Sequence, residues 1–112
     1  MTLRGDDIEP VLAALADPTR RRVLDAVASH GEATATMIAA ELPVSRQAVG
    51  MDLGVLDQAG LVTGRKTGRE MRYAARLEPL ADAARWMDAV AAEWDARLAR
   101  IKRLAELPVE EP

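Results

Sequence analysis

The side chains with the clearest chemistry in this sequence are arginines and lysines, and they are concentrated in the middle of the chain. The 112 residues carry a formal net charge of −3, yet residues 43–76 hold six basic residues against three acidic ones. The flanking segments, 1–42 and 77–112, each carry a net charge of −3. Because salt screens charges beyond roughly 10 Å, local charge matters more than total charge. The sequence therefore predicts that the middle segment contacts an anionic surface.

The groups that enzymes use for nucleophilic, acid-base or metal chemistry are scarce. The chain has no cysteine, which removes disulfides and thiolate metal sites. Its one histidine, His30, is expected at a helix end, where the helix dipole favours a cation. Asp82, Asp88, Glu93 and Asp95 share one predicted helix, where a solvated face is favoured over a weak site for a hard cation. We expect no enzymatic activity, no metal and no cofactor.

The basic segment begins with two short helices joined by a tight turn. The first helix is predicted at 34–42, and only Pro43-Val44 separates it from the second, which Ser45 is placed to cap. The apolar positions of the second helix recur at spacings of four and three residues: Val49, Leu53 and Leu56. Gly60 is expected to end it in the left-handed conformation. Residues 34–59 are therefore predicted to form a helix-turn-helix.

The second helix has an unusual exposed face. Going round it at 100° per residue, the positions that point away from Val49 are Gln47, Gly50, Met51, Gly54 and Gln58, with Arg46 and Asp52 on the two flanks. Each glycine costs roughly 1 kcal/mol of helix propensity relative to alanine. Either the face is reserved for a surface that must come close, or it is a tolerant surface; the sequence leaves both open.

Residues 61–74 are predicted to form a short β-hairpin with a turn at Thr67-Gly68. Four basic residues project from its tip and exposed face: Arg65, Lys66, Arg69 and Arg72. A basic hairpin beside a helix-turn-helix forms a wing that lies along the DNA backbone or minor groove. The alternative is a solvated hairpin whose charges protect an edge strand.

The other helices are predicted at Ile8–Ala16, from Asp17-Pro18 to about His30, and from Glu78 to about Leu107. The last would span roughly 40 Å, and a domain this small cannot cover its apolar stripe alone. We therefore predict a two-fold dimer through segments 1–16 and 78–107. Its candidate interface residues are Leu12, Met87, Val90, Trp94, Leu98 and Ile101. Both tryptophans, Trp86 and Trp94, lie on this helix, and large aromatic residues are typical interface anchors.

Three consecutive arginines, Arg20 to Arg22, fall in the first two turns of the predicted helix that begins after Asp17. Cations at this position oppose the helix dipole, so helix stability alone does not explain them. An external anion such as a DNA phosphate is one explanation. Solvation, or pairing with Asp17 and Asp25, is the other.

The fold class is thus predicted to be mainly α with a small β-hairpin: one winged helix-turn-helix domain over 1–112 with a long C-terminal dimerisation helix and an acidic tail at 108–112. Three segments resemble the ArsR/SmtB-type winged-helix repressors, namely 15–24 (LADPTRRRVL), 44–49 (VSRQAV) and 53–62 (LGVLDQAGLV). The C-terminal helix, which contains Trp94, also resembles the cysteine-free branch of that family, whose members do not sense metals or small molecules. The resemblance implies a homodimer that represses transcription by placing its reading helices in successive major grooves.

The chain departs from the family pattern at two positions of the second helix of the helix-turn-helix, Gly50 and Asp52. Members often carry Ser-x-His-Leu where this chain has Gly50-Met51-Asp52-Leu53. Asp52 would repel phosphate, accept a hydrogen bond from a cytosine amino group, or pair with a nearby arginine.

Metal-sensing members carry Cys-x-Cys in the first reading-motif helix or histidine and acidic ligands on the last helix. This chain has Thr36–Glu41 at the first position and no histidine at the second.

The sequence-based function is that of a dimeric, autoregulating repressor that binds double-stranded DNA at an inverted repeat. Base edges are expected to contact Gln47, Met51 and Arg46, while Ser45 holds a phosphate and the wing contacts flanking backbone. Gly50 and Gly54 belong to the same predicted face. The alternative is a winged-helix protein-interaction module with weak or lost DNA binding. We expect a cytoplasmic protein without a membrane partner, and a cleft between the long helix and the core could admit an unidentified apolar effector.

Overall fold

The computed structural model describes residues 5–108. Its five helices and the hairpin follow the predicted order, with one additional short strand, β1. The bounds are α1 Gly5–Leu15, α2 Pro18–His30, β1 Glu32–Ala33, α3 Ala35–Glu41, α4 Arg46–Gln58, β2 Val62–Thr67, β3 Glu70–Ala75 and α5 Glu78–Glu106. Residues 1–4 of the predicted N-terminal dimerisation segment and residues 109–112 of the predicted acidic tail lie outside this range. The predicted fold class, mainly helical with a small antiparallel sheet and a long last helix, is confirmed.

Local hydrogen bonds fix the starts of the helices where the sequence predicted them. The Asp17 carboxylate accepts from the backbone N–H groups of Thr19 and Arg20 at 2.8 and 3.1 Å, which caps α2. The Ser45 hydroxyl accepts from the backbone N–H of Ala48 at 3.1 Å, which caps α4.

Helix α1 begins at Gly5, three residues before the predicted start. Apolar spacing locates only the first buried position of a helix, so the polar residues that precede it were missed.

The predicted hairpin is present, but it belongs to a three-stranded antiparallel sheet in the order β1-β3-β2. Strand β1 was not predicted, because two residues are too few to show an alternating pattern. Its Ala33 is fully buried and pairs with Tyr73 on β3. The hairpin turn is Gly68-Arg69, one residue later than predicted, and Gly68 adopts a φ of 63°. Arg69 therefore stands at the tip of the wing.

The core is aliphatic and gathers residues from all five helices and the sheet. Its largest fully buried side chains are Ile8, Ile38, Leu53, Leu56, Leu61, Val23, Val27, Val49 and Val62. Trp86 is half-buried and packs against this cluster, so it belongs to the domain's own packing; among the tryptophans only Trp94 stands exposed.

Helix α5 extends well past the rest of the domain. It has 29 residues, and every residue from 91 to 107 is exposed. The molecule is accordingly elongated, with extents of 81 × 32 × 21 Å. Within residues 5–108, no helix combines the length and the apolar character that crossing a membrane requires.

Candidate nucleic-acid interface

Helix α4 presents the face that the sequence predicted. Val49, Leu53 and Leu56 are fully buried, which fixes the rotation of the helix about its own axis. The opposite face is exposed and consists of Gln47, Gly50, Met51, Gly54 and Gln58. The Met51 side chain is 76% exposed, the largest fraction among the exposed large hydrophobic residues. We call this surface of α4 the reading face.

The two glycines of the reading face are not required by packing within the chain. A Cβ atom built at Gly50 or Gly54 meets no atom within 4 Å. Gly64 on β2 is different, because a Cβ there would lie 3.0 Å from Met71 Sδ and 3.1 Å from Tyr73 Cε1. Gly64 thus makes room for side chains of the wing, whereas Gly50 and Gly54 leave open space in front of the helix.

The start of the reading helix and the tip of the wing meet at one cleft. The cleft has a volume of about 210 Å³ and lies between α3, α4 and β3. Arg46 and Gly50 of α4 line it on one side, and Arg69 and Tyr73 of the wing region line it on the other. Leu53, Thr34, Thr36 and Glu70 are further lining residues. The tip of the wing therefore lies across this cleft from the start of the reading helix, and each of the two elements contributes one arginine to its lining.

Two of the four wing cations already have acidic partners within the chain. Arg65 Nη2 lies 2.9 Å from a carboxylate oxygen of Glu32, and Arg72 Nη2 lies 3.4 Å from one of Glu70. Lys66 and Arg69 are exposed and form no ion pair among residues 5–108. All four pairing groups are solvent-accessible, so these ion pairs are weak and exchangeable with a phosphate.

Asp52, for which the sequence left three possibilities open, is paired with an arginine. Its Oδ1 lies 3.4 Å from Arg20 Nε, and the two side chains are 16% and 19% exposed. Of the three sequence-based possibilities for Asp52, the structure contains the ion pair. The partner lies 32 residues away on another helix, so no local spacing could have identified it.

The arginine triplet does not pair as the sequence analysis suggested. Neither Asp17 nor Asp25 binds these guanidinium groups among the described residues; Arg20 Nη1 instead donates to the carbonyl oxygens of Ala13 and Ala14, and Arg21 Nη1 donates to that of Leu15. These carbonyls end α1, where the helix dipole is negative and cations are favoured. The two side chains thus stabilise the end of the preceding helix, which explains cations at the start of α2. Arg22 is exposed.

The predicted dimer residues are accessible in the single chain. Leu12 is 37% exposed, Met87 46%, and Val90 half-buried. Farther along α5, Trp94, Leu98 and Ile101 are more than half exposed. Arg97 lies over the Trp94 ring, 4.9 Å from its centroid. The apolar stripe is therefore real and uncovered within the described chain.

The structure describes a second concavity, a mostly apolar groove of about 350 Å³ between α1 and α4. Its lining residues are Pro10, Ala13, Ala14, Arg20, Val55, Gln58 and Ala59. This groove differs from the cleft between the long helix and the core, which is the place that the sequence suggests for an apolar effector. In the part of the chain described, no group of three or more histidine or acidic side chains is arranged to hold a metal ion.

Comparisons with known proteins agree with this geometry. Residues 15–65 match a helix-turn-helix domain family. The transcriptional repressor SdpR of Bacillus subtilis is 32% identical over 77 residues, which cover 69% of this chain and 84% of SdpR. An ArsR-like transcriptional regulator from Rhodococcus sp. RHA1 is 42% identical with a TM-score of 0.80, and the match covers 92% of this chain and 96% of that one.

A third relative is informative about assembly. The homodimeric winged helix-turn-helix DNA-binding domain Mb0332 from Mycobacterium bovis is 27% identical with a TM-score of 0.59. The match covers 85% of this chain and 84% of that one.

The fold, the reading face and the basic wing define a winged helix-turn-helix protein of the DNA-binding, transcription-regulating class. The chain belongs to the ArsR family of transcriptional regulators. The resemblance seen in the sequence is thereby confirmed, and the family is one of DNA-binding regulators rather than enzymes.

Proposed function

We propose that this chain is a homodimeric repressor that binds an inverted repeat, including one that controls its own gene. The observation that carries the proposal is the cleft shared by the reading helix and the wing. Arg46 and Arg69 line it together with Gly50 of the reading face, on which the exposed Gln47 and Met51 also lie. Glu70 lines the cleft too, and its carboxylate is paired with Arg72. A surface that combines cations with uncharged polar and apolar groups suits a DNA strand, because phosphates bind the cations while base edges contact the others.

Each part of this surface is assigned a role. Gln47, Met51 and Arg46 contact base edges in the major groove, and the Ser45 hydroxyl and the N-terminus of α4 hold a phosphate. Gly50 and Gly54 allow the helix backbone to approach the duplex. The wing cations hold flanking phosphates, and they are Arg65, Lys66, Arg69 and Arg72. Residues 34–59 thus form the reading unit and 61–74 the wing.

The dimer is assigned to segments 1–16 and 78–107. The exposed apolar stripe of α5 carries the proposal, with Trp94, Leu98 and Ile101 as its centre and Leu12, Met87 and Val90 beside it. The homodimeric state of the M. bovis relative supports it. A two-fold pair places its reading helices on two half-sites about one or two helical turns apart, which requires an inverted repeat. The repressor role is supported by the name of the B. subtilis relative, and we place the protein in the cytoplasm.

The test is equilibrium binding to a duplex of about 40 base pairs taken from upstream of the gene, with a shuffled duplex as the control. We expect the upstream duplex to bind at least tenfold more tightly and the affinity to fall steeply between about 50 and about 200 mM salt. The double variant Arg69→Ala, Arg72→Ala should weaken both complexes. Undiminished binding by this variant would contradict the role of the wing. Absence of binding at low salt would favour the protein-interaction alternative.

A further inference from the structure

Arg20 connects three helices through one side chain. Its Nε lies 3.4 Å from Asp52 Oδ1 on α4, and its Nη1 donates to the carbonyl oxygens of Ala13 and Ala14 on α1 at 3.3 and 3.2 Å. Its own backbone N–H donates to Asp17 Oδ1 at 3.1 Å, which fixes the base of the side chain in the first turn of α2. The guanidinium group can serve the Asp52 carboxylate and both carbonyl oxygens at once because it carries five N–H donors in a rigid plane.

We propose that Arg20 is a positioning residue for DNA binding, which holds the Asp52 carboxylate on the flank of the reading helix and neutralises its charge there. The inference rests on the proposed DNA-binding function. Asp52 directly follows Met51, the most exposed apolar residue of the reading face. A free carboxylate one position from a DNA-contacting side chain would repel the phosphates. Pairing with Arg20 neutralises that charge and fixes its direction.

The burial of the pair supports a positioning role. Arg20 and Asp52 are each less than one-fifth exposed, so solvent screens them less than the ion pairs of the wing. Removing one partner of such a pair leaves the other charge uncompensated. The two carbonyl acceptors on α1 hold the guanidinium in place independently of Asp52. The carboxylate is therefore held by a group that is itself anchored.

The chain provides matched controls for both partners. Asp57 lies on the same helix as Asp52, is exposed, and forms no ion pair among the described residues. Arg22 lies two residues from Arg20 on α2 and is also exposed without an acidic partner in that range. Asp57→Asn and Arg22→Met change the charge of the chain by the same amounts as Asp52→Asn and Arg20→Met. They leave the buried pair intact.

The test measures binding of the upstream and shuffled duplexes by fluorescence anisotropy for single and double variants. We expect Arg20→Met to lower the affinity about tenfold or more, and Asp52→Asn in the same chain to restore it to within about threefold of wild type. Asp57→Asn should not restore the affinity of the Arg20→Met variant for the upstream duplex. Likewise, Asp52→Asn should not raise the affinity of an Arg22→Met variant. The loss caused by Arg20→Met should shrink as salt rises from about 50 to about 200 mM, because the repulsion is screened.

Circular dichroism and thermal unfolding establish that each variant is folded. If Arg20→Met does not fold, Arg20→Gln replaces it, since glutamine keeps a polar side chain with hydrogen-bond donors but carries no charge, and the same rescue is expected. The inference is overturned if the Arg20 variant binds like wild type, if Asp52→Asn fails to restore it, or if Asp57→Asn restores it equally. A wild-type chain that binds neither duplex overturns the proposed function together with this inference. If the wild-type chain binds the upstream duplex but Asp52→Asn does not restore the affinity of the Arg20→Met variant, the inference alone is overturned.

Discussion

Arg65 of the wing reaches across β3 to Glu32, and the closest distance between its guanidinium and the carboxylate is 2.9 Å. Strand β1 thus supplies an acidic competitor for one of the cations assigned to the DNA backbone. Both side chains are well exposed, 62% and 43%, so the pair contributes little to stability and a phosphate can displace the carboxylate. The pair holds the Arg65 side chain over the sheet when no DNA is bound.

Glu32→Gln should therefore strengthen DNA binding. We expect a two- to fivefold gain in affinity, about 0.5–1 kcal/mol, because Arg65 then has no carboxylate partner to release before it binds a phosphate. Stability to urea should change by less than about 0.5 kcal/mol. The matched control is Glu41→Gln, since Glu41 is also exposed but pairs with His30 rather than with the wing. Equal gains from the two variants would assign the effect to net charge alone.

Gly54→Ala should stabilise the protein and weaken its complex with DNA. A Cβ at Gly54 meets no atom of the chain, and alanine in a helix interior is favoured over glycine by roughly 1 kcal/mol. The added methyl group lies on the reading face, where it occupies space that the DNA needs for close contact with the helix. We therefore expect the affinity for the upstream duplex to fall about tenfold. Urea unfolding and anisotropy measure the two effects.

The contrasting glycine is Gly64. An alanine Cβ there would lie 3.0 Å from Met71 Sδ and 3.1 Å from Tyr73 Cε1, so Gly64→Ala should be less stabilising than Gly54→Ala, because these side chains must shift to accept the methyl group. If Gly54→Ala raised stability and left DNA binding unchanged, the reading face would be a tolerant surface, as the sequence also allowed.

How far the sequence could predict this fold follows from which signals are local. The stripe of Val49, Leu53 and Leu56 and the Ser45 cap depend on residues a few positions apart, and they fixed the rotation of α4 correctly. Strand β1 pairs Glu32 with Ala74, a partner 42 positions away, and its two residues carry no pattern of their own. Long-range pairing of short elements therefore escaped prediction.

The same reasoning applies to the candidate site. The sequence identified the exposed residues of α4 and the wing, because their positions follow from helix and hairpin geometry. It could not show that Arg65 and Asp52 have partners, since Glu32 and Arg20 are brought to them only by the tertiary fold. Charge counts along the chain treat such cations as free, although part of the basic surface is neutralised within the chain.

Gln47→Ala should reduce sequence discrimination more than overall affinity. An amide side chain on the reading face can form a bidentate contact with adenine, and loss of such a contact costs about 1–3 kcal/mol for the correct base pair. We expect the upstream duplex to lose affinity while the shuffled duplex does so only slightly. Systematic single-base substitution of the upstream site would locate the base pair concerned. Equal losses on both duplexes would make Gln47 a backbone contact.

Arg69→Ala should reduce overall affinity more than sequence discrimination, because Arg69 stands at the tip of the wing, where it is proposed to contact a phosphate. Loss of one phosphate contact weakens specific and shuffled complexes alike and lowers the slope of log affinity against log salt by about 1. Arg85→Ala removes the same charge from α5, where Arg85 pairs with Asp82, and should leave the slope unchanged. A slope that falls equally in both variants would show a general charge effect rather than a contact by the wing.

The double variant Trp94→Ala, Leu98→Ala should convert the protein to monomers. Both side chains are more than half exposed in the single chain, so their truncation removes little from the domain's own core while removing the centre of the apolar stripe. Analytical ultracentrifugation at micromolar concentration measures the change, with Met71→Ala on the wing as a control that also shortens an exposed apolar side chain. Because a monomer reaches only one half-site, we expect affinity for the upstream duplex to fall at least a hundredfold while helix content stays the same. If the double variant remains dimeric, or if the wild-type chain is monomeric at these concentrations, α5 does not form the dimer interface. The structure would then give no reason to expect an inverted repeat.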